Sequence, residues 1–89
     1  MKKTIKLQTH DGSNNYLEQY KGHVYKLVTQ TDSLRGGELD NGDIFIDPSG
    51  GPMIVENNII EGTDWIATKI EFKRDIGFLI TLKNVISRN

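Results

Sequence analysis

The sequence contains no cysteine, which removes disulfides, thiolate nucleophiles and sulfur-ligated zinc in one stroke. Small secreted domains usually depend on disulfides, so a cytoplasmic setting is expected. Histidine is scarce as well. His10 and His23 are the two imidazoles, and without an ordered carboxylate spacing they make no zinc site; both read as surface residues, and no metal or cofactor is expected. Long apolar runs are missing. The longest, such as Phe78-Leu79-Ile80, are far too short to cross a bilayer. The start, Met1-Lys2-Lys3-Thr4-Ile5-Lys6, resembles the charged opening of a signal peptide, but polar residues follow where the apolar stretch belongs.

An excess of one charge is also lacking. Eleven basic side chains oppose twelve acidic ones for a net charge of −1, so no global field draws the protein to nucleic acid or to anionic lipid. A nucleic-acid partner and membrane attachment are therefore not expected. The distribution is uneven, however. Lys2, Lys3, Lys6, Lys21 and Lys26 fall in the first third, whereas Asp32 to Asp64 holds eight acids against one base, Arg35.

A chain of 89 residues predicts one domain over 1–89 with a thin core, since so short a chain hides only about 60–65% of its unfolded surface. Thr4 to Gln8 alternates apolar and polar residues and predicts a strand with Ile5 and Leu7 inward; Thr9 to Asn15 is turn-rich. Asn15 to Gly22 reads two ways. Asn15 with Glu18 resembles a capping box and Gly22 a helix stop, yet Tyr16 and Tyr20 suit a strand; a short helical turn over 15–21 is favoured. His23 to Gln30 reads as a strand, and Thr31 to Asn41, around Gly36-Gly37, as a loop.

Asp43 to Asp47 predicts a strand ended by Pro48, and Pro52 to Glu56 another, with a reversal at Asn57-Asn58 and a return at Ile59-Ile60. Trp65 to Phe72 alternates, placing Ile66, Ile70 and Phe72 on one face. After a turn at Lys73 to Gly77, the stretch to Val85 returns with Phe78, Ile80 and Leu82 inward, and Ser87-Arg88-Asn89 reads as a tail. The predicted core is Ile44, Ile46, Ile54, Ile66, Ile70, Phe72, Phe78, Ile80 and Leu82. The fold class is all-β, about six short strands forming a small SH3-like barrel or a sandwich, because closure removes exposed strand edges.

The stretch Gly42-Asp43-Ile44-Phe45-Ile46-Asp47-Pro48-Ser49-Gly50-Gly51-Pro52-Met53-Ile54-Val55 resembles the core motif of the YodC-like family of small bacterial proteins. In that family a Gly-Asp pair opens a strand, Ser-Gly-Gly-Pro follows, and Met and Val begin the next strand. This chain lacks the residue that usually precedes the family's Met, and Trp65 is a loose further match. The resemblance implies an SH3-like barrel and carries over no catalytic residue.

Two glycine segments suggest anion binding. Successive N–H groups of Ser49-Gly50-Gly51 could form a nest, and Arg35-Gly36-Gly37 adds a guanidinium that forks onto phosphate or carboxylate. The plainer reading of both is a tight strand connection. Asp40, Asp43 and Asp47 with Asn41 lack the EF-hand spacing and its bidentate glutamate. Ser49 sits in no nucleophile elbow, and no catalytic constellation appears. Tyr16, Tyr20, Tyr25 and Trp65 beside Lys21 and Lys26 suit an interaction surface, with packing at the core edge as the bland alternative.

These residues point to a non-enzymatic binding module that contacts another macromolecule, most simply a protein. In size and style it resembles accessory and phage-encoded regulators or inhibitors. The alternatives are a binder of a small anionic, nucleotide-like ligand and a small hydrolase. Phe45, Trp65 and Leu79 fall on the face opposite their strands' apparent core, which predicts a two-fold homodimer covering that face, the alternative being a folded-back N-terminal segment with Tyr16, Leu17 and Tyr20 that covers it within a monomer.

Overall fold

The computed structural model describes residues 3–9, 12, 14–29, 34–48 and 50–85. Among these residues nine strands form and no helix: β1 (Thr4–Lys6), β2 (Tyr16–Lys21), β3 (Val24–Val28), β4 (Leu34–Glu38), β5 (Ile44–Pro48), β6 (Ile54–Val55), β7 (Asn58–Ile59), β8 (Trp65–Lys73) and β9 (Gly77–Asn84). They make a curled, antiparallel six-stranded sheet in the order β1-β2-β3-β9-β8-β7 and a three-stranded sheet β4-β5-β6. The all-β expectation holds, with more and shorter strands than the sequence suggested. The tail Ser87-Arg88-Asn89 lies outside the described residues.

The core lies between the sheets. Leu7, Leu17, Tyr25, Leu27, Ile70, Ile80 and Leu82 from the large sheet and its flank share one buried cluster with Ile46 and Ile54 of the small one. Directly paired residues share a face, so the rows Ile5–Leu17–Leu27 and Tyr25–Ile80–Ile70 point inward together.

Three expectations need correction. Residues 15–21 form no helical turn. Leu17 is fully buried between Ile5 and Leu27, and Asn15 turns its amide to the Gly51 carbonyl at 3.4 Å instead of capping a helix; packing Leu17 against partners on both sides outweighs a weak capping signal. Thr31 to Asn41 is not all loop, because Leu34–Glu38 pairs in unbroken register with β5.

The third correction concerns β8, where the register slips between Ala67 and Lys69. Thr68 is the extra residue, and its hydroxyl donates to the Thr81 carbonyl at 3.2 Å. A bulge of this kind reverses which residues face inward. Before it Trp65 and Ala67 point to the core, after it Ile70 and Phe72 do, and Ile66 shares the outer face with Lys83. Phe72 sits past the end of the covered region, 59% exposed, its ring against Phe78 at 5.0 Å between centroids. It is not a core residue.

The sheets are joined through β6 and β7, which run consecutively from one sheet into the other across a turn at Glu56-Asn57. Asn57 takes φ of 69°, which asparagine tolerates, and donates its N–H to the Ala67 carbonyl at 2.6 Å. Glu56 reaches both sheets. Its N–H donates to the Ile44 carbonyl at 2.8 Å, one carboxylate oxygen accepts from the Ile44 N–H at 3.4 Å, and the other accepts from the Ile70 N–H at 2.9 Å.

Glu56→Gln keeps the size but replaces one acceptor oxygen with an NH₂ donor, so one backbone N–H loses its partner. A loss of about 1.5–3 kcal/mol is expected in denaturant unfolding. Ile80→Ala should cost about 2–5 kcal/mol, whereas Phe72→Ala, which loses one aromatic contact, should cost about 1 kcal/mol. Equal costs for these two would show that Phe72 is buried.

Candidate functional site

The two glycine segments sit at one end of the small sheet, because Leu34 pairs with Pro48 and Arg35 with Asp47. Ser49 lies outside the described residues, as does His10. Gly50 and Gly51 both take positive φ, 88° and 71°, yet the Gly51 N–H donates to the Pro48 carbonyl at 2.9 Å and its own carbonyl receives the Asn15 amide. That N–H is committed to the turn. Gly36 and Gly37 lie in a strand, not the expected loop. A Cβ on Gly37 would stand 3.2 Å from the Phe45 ring, so glycine there leaves room for the phenyl group to cover the strand.

The four aromatic candidates divide. Tyr25 is buried and tilts against Trp65, ring centroids 6.5 Å apart, and Trp65 packs on the core. Both are structural. Tyr16 and Tyr20 face outward on β2. Tyr16 lines a hollow of about 310 Å³ with Thr4, Lys6, Asn14 and Glu18; Tyr20 lines one of about 240 Å³ with Glu18, Lys26 and Ile76. Glu18 is common to both, so they form one uneven surface.

Register extends that surface over the outer face of the large sheet. Glu18 pairs with Lys26, Lys26 with Leu79 and Leu79 with Glu71, while Lys21, Val24, Thr81 and Lys69 form the neighbouring row. Lys6 beside Tyr16, Lys83 beside Ile66 and Lys73 beside Gly77 share the face. Six lysines (Lys6, Lys21, Lys26, Lys69, Lys73 and Lys83) thus meet three carboxylates on one side of one sheet, Glu18 and Glu71 from the strands and Asp75 from the turn that lines the Tyr20 hollow. Lys21 and Lys69, three strand spacings apart, stand roughly 14 Å from each other. Leu79, 3% exposed, is buried on this side, outside the main core; the turn after β8 puts Ile76 into the same hollow as Lys26, its register partner.

Five of the ten described acids lie on the other sheet. Glu38, Asp40, Asp43, Asp47 and Glu56 lie on the small sheet or its turns, with Arg35 as the base among them. Asp43 is occupied by its neighbours: one oxygen accepts from the Asn57 amide at 3.0 Å, the other from the Asn41 amide at 3.1 Å, and its N–H donates to the Asn41 side chain at 2.9 Å. These bonds fix the turn before β5. Among the described residues no group of three or more His, Cys, Asp or Glu side chains is placed to hold a metal ion.

Sequence reasoning identified the charge asymmetry but not the lysine face, half of which comes from Lys69, Lys73 and Lys83 in the last two strands. Period-two spacing from Lys69 to Lys73 was a visible signal for its edge. No family model, no curated protein and no solved structure matches the chain.

The division of the aromatics has a direct check. Tyr25→Ala should cost about 3–5 kcal/mol of stability, as a large buried ring does, while Tyr20→Ala, 47% exposed, should stay within about 0.5 kcal/mol of the parent. Matched losses in thermal or urea unfolding would mean that Tyr20 is part of the fold's core.

Proposed function

We propose that this protein is a non-enzymatic binding module whose lysine-rich outer sheet face contacts an acidic surface on another protein. The observation that supports this reading is the excess of positive charge on one sheet face, six lysines against Glu18, Glu71 and Asp75, while five further acids lie on the small sheet or its turns. A net charge near zero conceals a molecule with a strongly positive side. Such a patch steers association and fixes orientation by complementary potential.

A protein partner is favoured over nucleic acid by the composition of the face. Glu18 and Glu71 flank Lys26 and Leu79 in the middle row, where a continuous phosphate backbone would meet both carboxylates. Tyr16 and Tyr20 supply the aromatic surface at one end of that face, with no succession of rings along it for stacked bases. The face is the outside of a curled sheet, so it projects toward a partner and cannot wrap one. Tyr16 and Tyr20 beside lysine stems match the amphipathic contacts common at protein interfaces.

The anionic-ligand reading retains Arg35 at the same end of the small sheet as Gly50 and Gly51, opposed by Asp47 in register and by the committed Gly51 N–H. It is the weaker of the two. Accessory or regulatory roles follow from binding alone and need no reaction.

The test is affinity capture from the native host with the parent and with the Lys21→Glu/Lys69→Glu variant, both side chains being exposed so that folding is unchanged. A protein held by the parent should bind the variant at least about tenfold more weakly, and should be released as salt rises. Equal capture by both refutes the lysine face. Shifts of duplex or single-stranded nucleic acid at physiological salt would replace the protein partner with a polyanion.

A further inference from the structure

Among the described residues the small sheet has an open side. β4 is its outermost strand, and Arg35 to Asp40 are all exposed. Soluble proteins usually blunt such edges with proline, charged side chains or a bulge. Leu34–Glu38 has two charges of opposite sign, Arg35 and Glu38, but no proline and no bulge: its five residues pair with β5 without a break in register.

The hydrogen-bond phase shows which groups are free to pair. Leu39, which continues the β4–β5 register, donates its N–H to the Asp43 carbonyl at 2.8 Å. Antiparallel pairs alternate between bonded and non-bonded. Arg35 and Gly37 therefore direct their N–H and C=O groups to β5, and Leu34, Gly36 and Glu38 direct theirs outward.

We propose that this edge pairs with the same edge of a second copy of the chain, in a two-fold antiparallel ladder centred on Gly36. A two-fold axis through two adjacent antiparallel strands is perpendicular to the sheet, so it preserves faces and pairs residues of like parity. Centring on Gly36 sets Gly36 opposite its own counterpart and Leu34 opposite the partner's Glu38. It uses every outward group of the strand in about six hydrogen bonds. Centring on Gly37 would carry Leu34 to the partner's Asp40, beyond the strand's end.

Side chains favour the same register. Arg35 falls opposite the partner's Gly37, the position that the Phe45 ring overlies in each copy. The guanidinium then rests on the face of the partner's Phe45 ring, and symmetry makes the contact twice. Phe45 is half-buried and Arg35 exposed in the single chain, so both have surface to lose. The six-stranded sheet takes no part, and the lysine face stays open. The two-fold homodimer expected from Phe45, Trp65 and Leu79 is thus reassigned: Trp65 packs on the core, Leu79 is buried, and Phe45 belongs to the β4 edge.

A five-residue ladder buries less than the roughly 1,200 Å² of a stable interface, so assembly should depend on concentration. Sedimentation of the full chain from micromolar to millimolar concentration should show the mass rising from 10.1 kDa toward twice that value. Amide hydrogen exchange over the same series should show Gly36 and Glu38 gaining protection, while Gly37, already bonded to β5, is protected throughout. Glu38→Pro removes an outward N–H and should weaken the dimer at least tenfold; Arg35→Ala should weaken it several-fold. Lys21→Glu should leave it unchanged, which separates this interface from the binding face. A monomeric mass at every concentration overturns the proposal, and so does a dimer in which the Gly36 amide still exchanges freely. If Glu38→Pro does not fold, the exchange pattern of the parent decides.

Discussion

The Glu56 carboxylate is the point on which the two sheets depend. β7 is two residues long and pairs with Ile66 and Ala67, so β8 beyond its bulge has no strand beside it there. The Ile70 N–H points to that free edge, at a partly buried position where it needs a partner. A strand cannot fill the gap, because the chain at that point is turning into the other sheet. A side chain from the turn does so, and its second oxygen receives the Ile44 N–H from β5. A hydrogen bond to a charged acceptor is worth more than a neutral one, and a buried N–H without a partner costs about 1–3 kcal/mol. One acid thus satisfies both sheets at their junction, and Asn57 and Asp43 lock the turn that carries it.

Much of this architecture was legible from alternation. The β8–β9 hairpin, the reversal at Asn57, and the inward Ile46, Ile54, Ile80 and Leu82 all follow from period-two burial in short strands. The failures have local causes. Period two is lost at a bulge, and nothing in Ala67-Thr68-Lys69 marks the residue that would be skipped. The capping pattern at Asn15 was real as a pattern, yet Leu17 found partners on both sides, and non-local pairing is invisible to a local motif. Gly36 and Gly37 read as loop because glycine weakens strands; here the Phe45 ring from the next strand takes the vacant position at Gly37, and the Phe45 carbonyl comes close at Gly36.

The surface was harder to read than the core, for a physical reason. Exposed residues satisfy no packing constraint, so their grouping depends on which strands become neighbours. Lys21 and Lys69 are 48 positions apart in the chain and share a row only because β9 pairs with both β3 and β8. The sequence-level asymmetry between a basic beginning and an acidic middle was a partial projection of this arrangement. Topology completes it by adding the last two strands to the basic side.

That same placement of β9 imposes an order on biosynthesis. The strand that bridges β3 and β8 is the ninth of nine among the described residues, so the halves of the large sheet cannot meet until it has left the ribosome. The small sheet emerges earlier, with Ile46 and Ile54 facing a core that does not yet exist. Chains grow from the N-terminus at roughly 5–20 residues per second. For a second or more the nascent chain therefore carries an unshielded apolar face beside the unprotected β4 edge, and that interval is when a chaperone would have the most to hold.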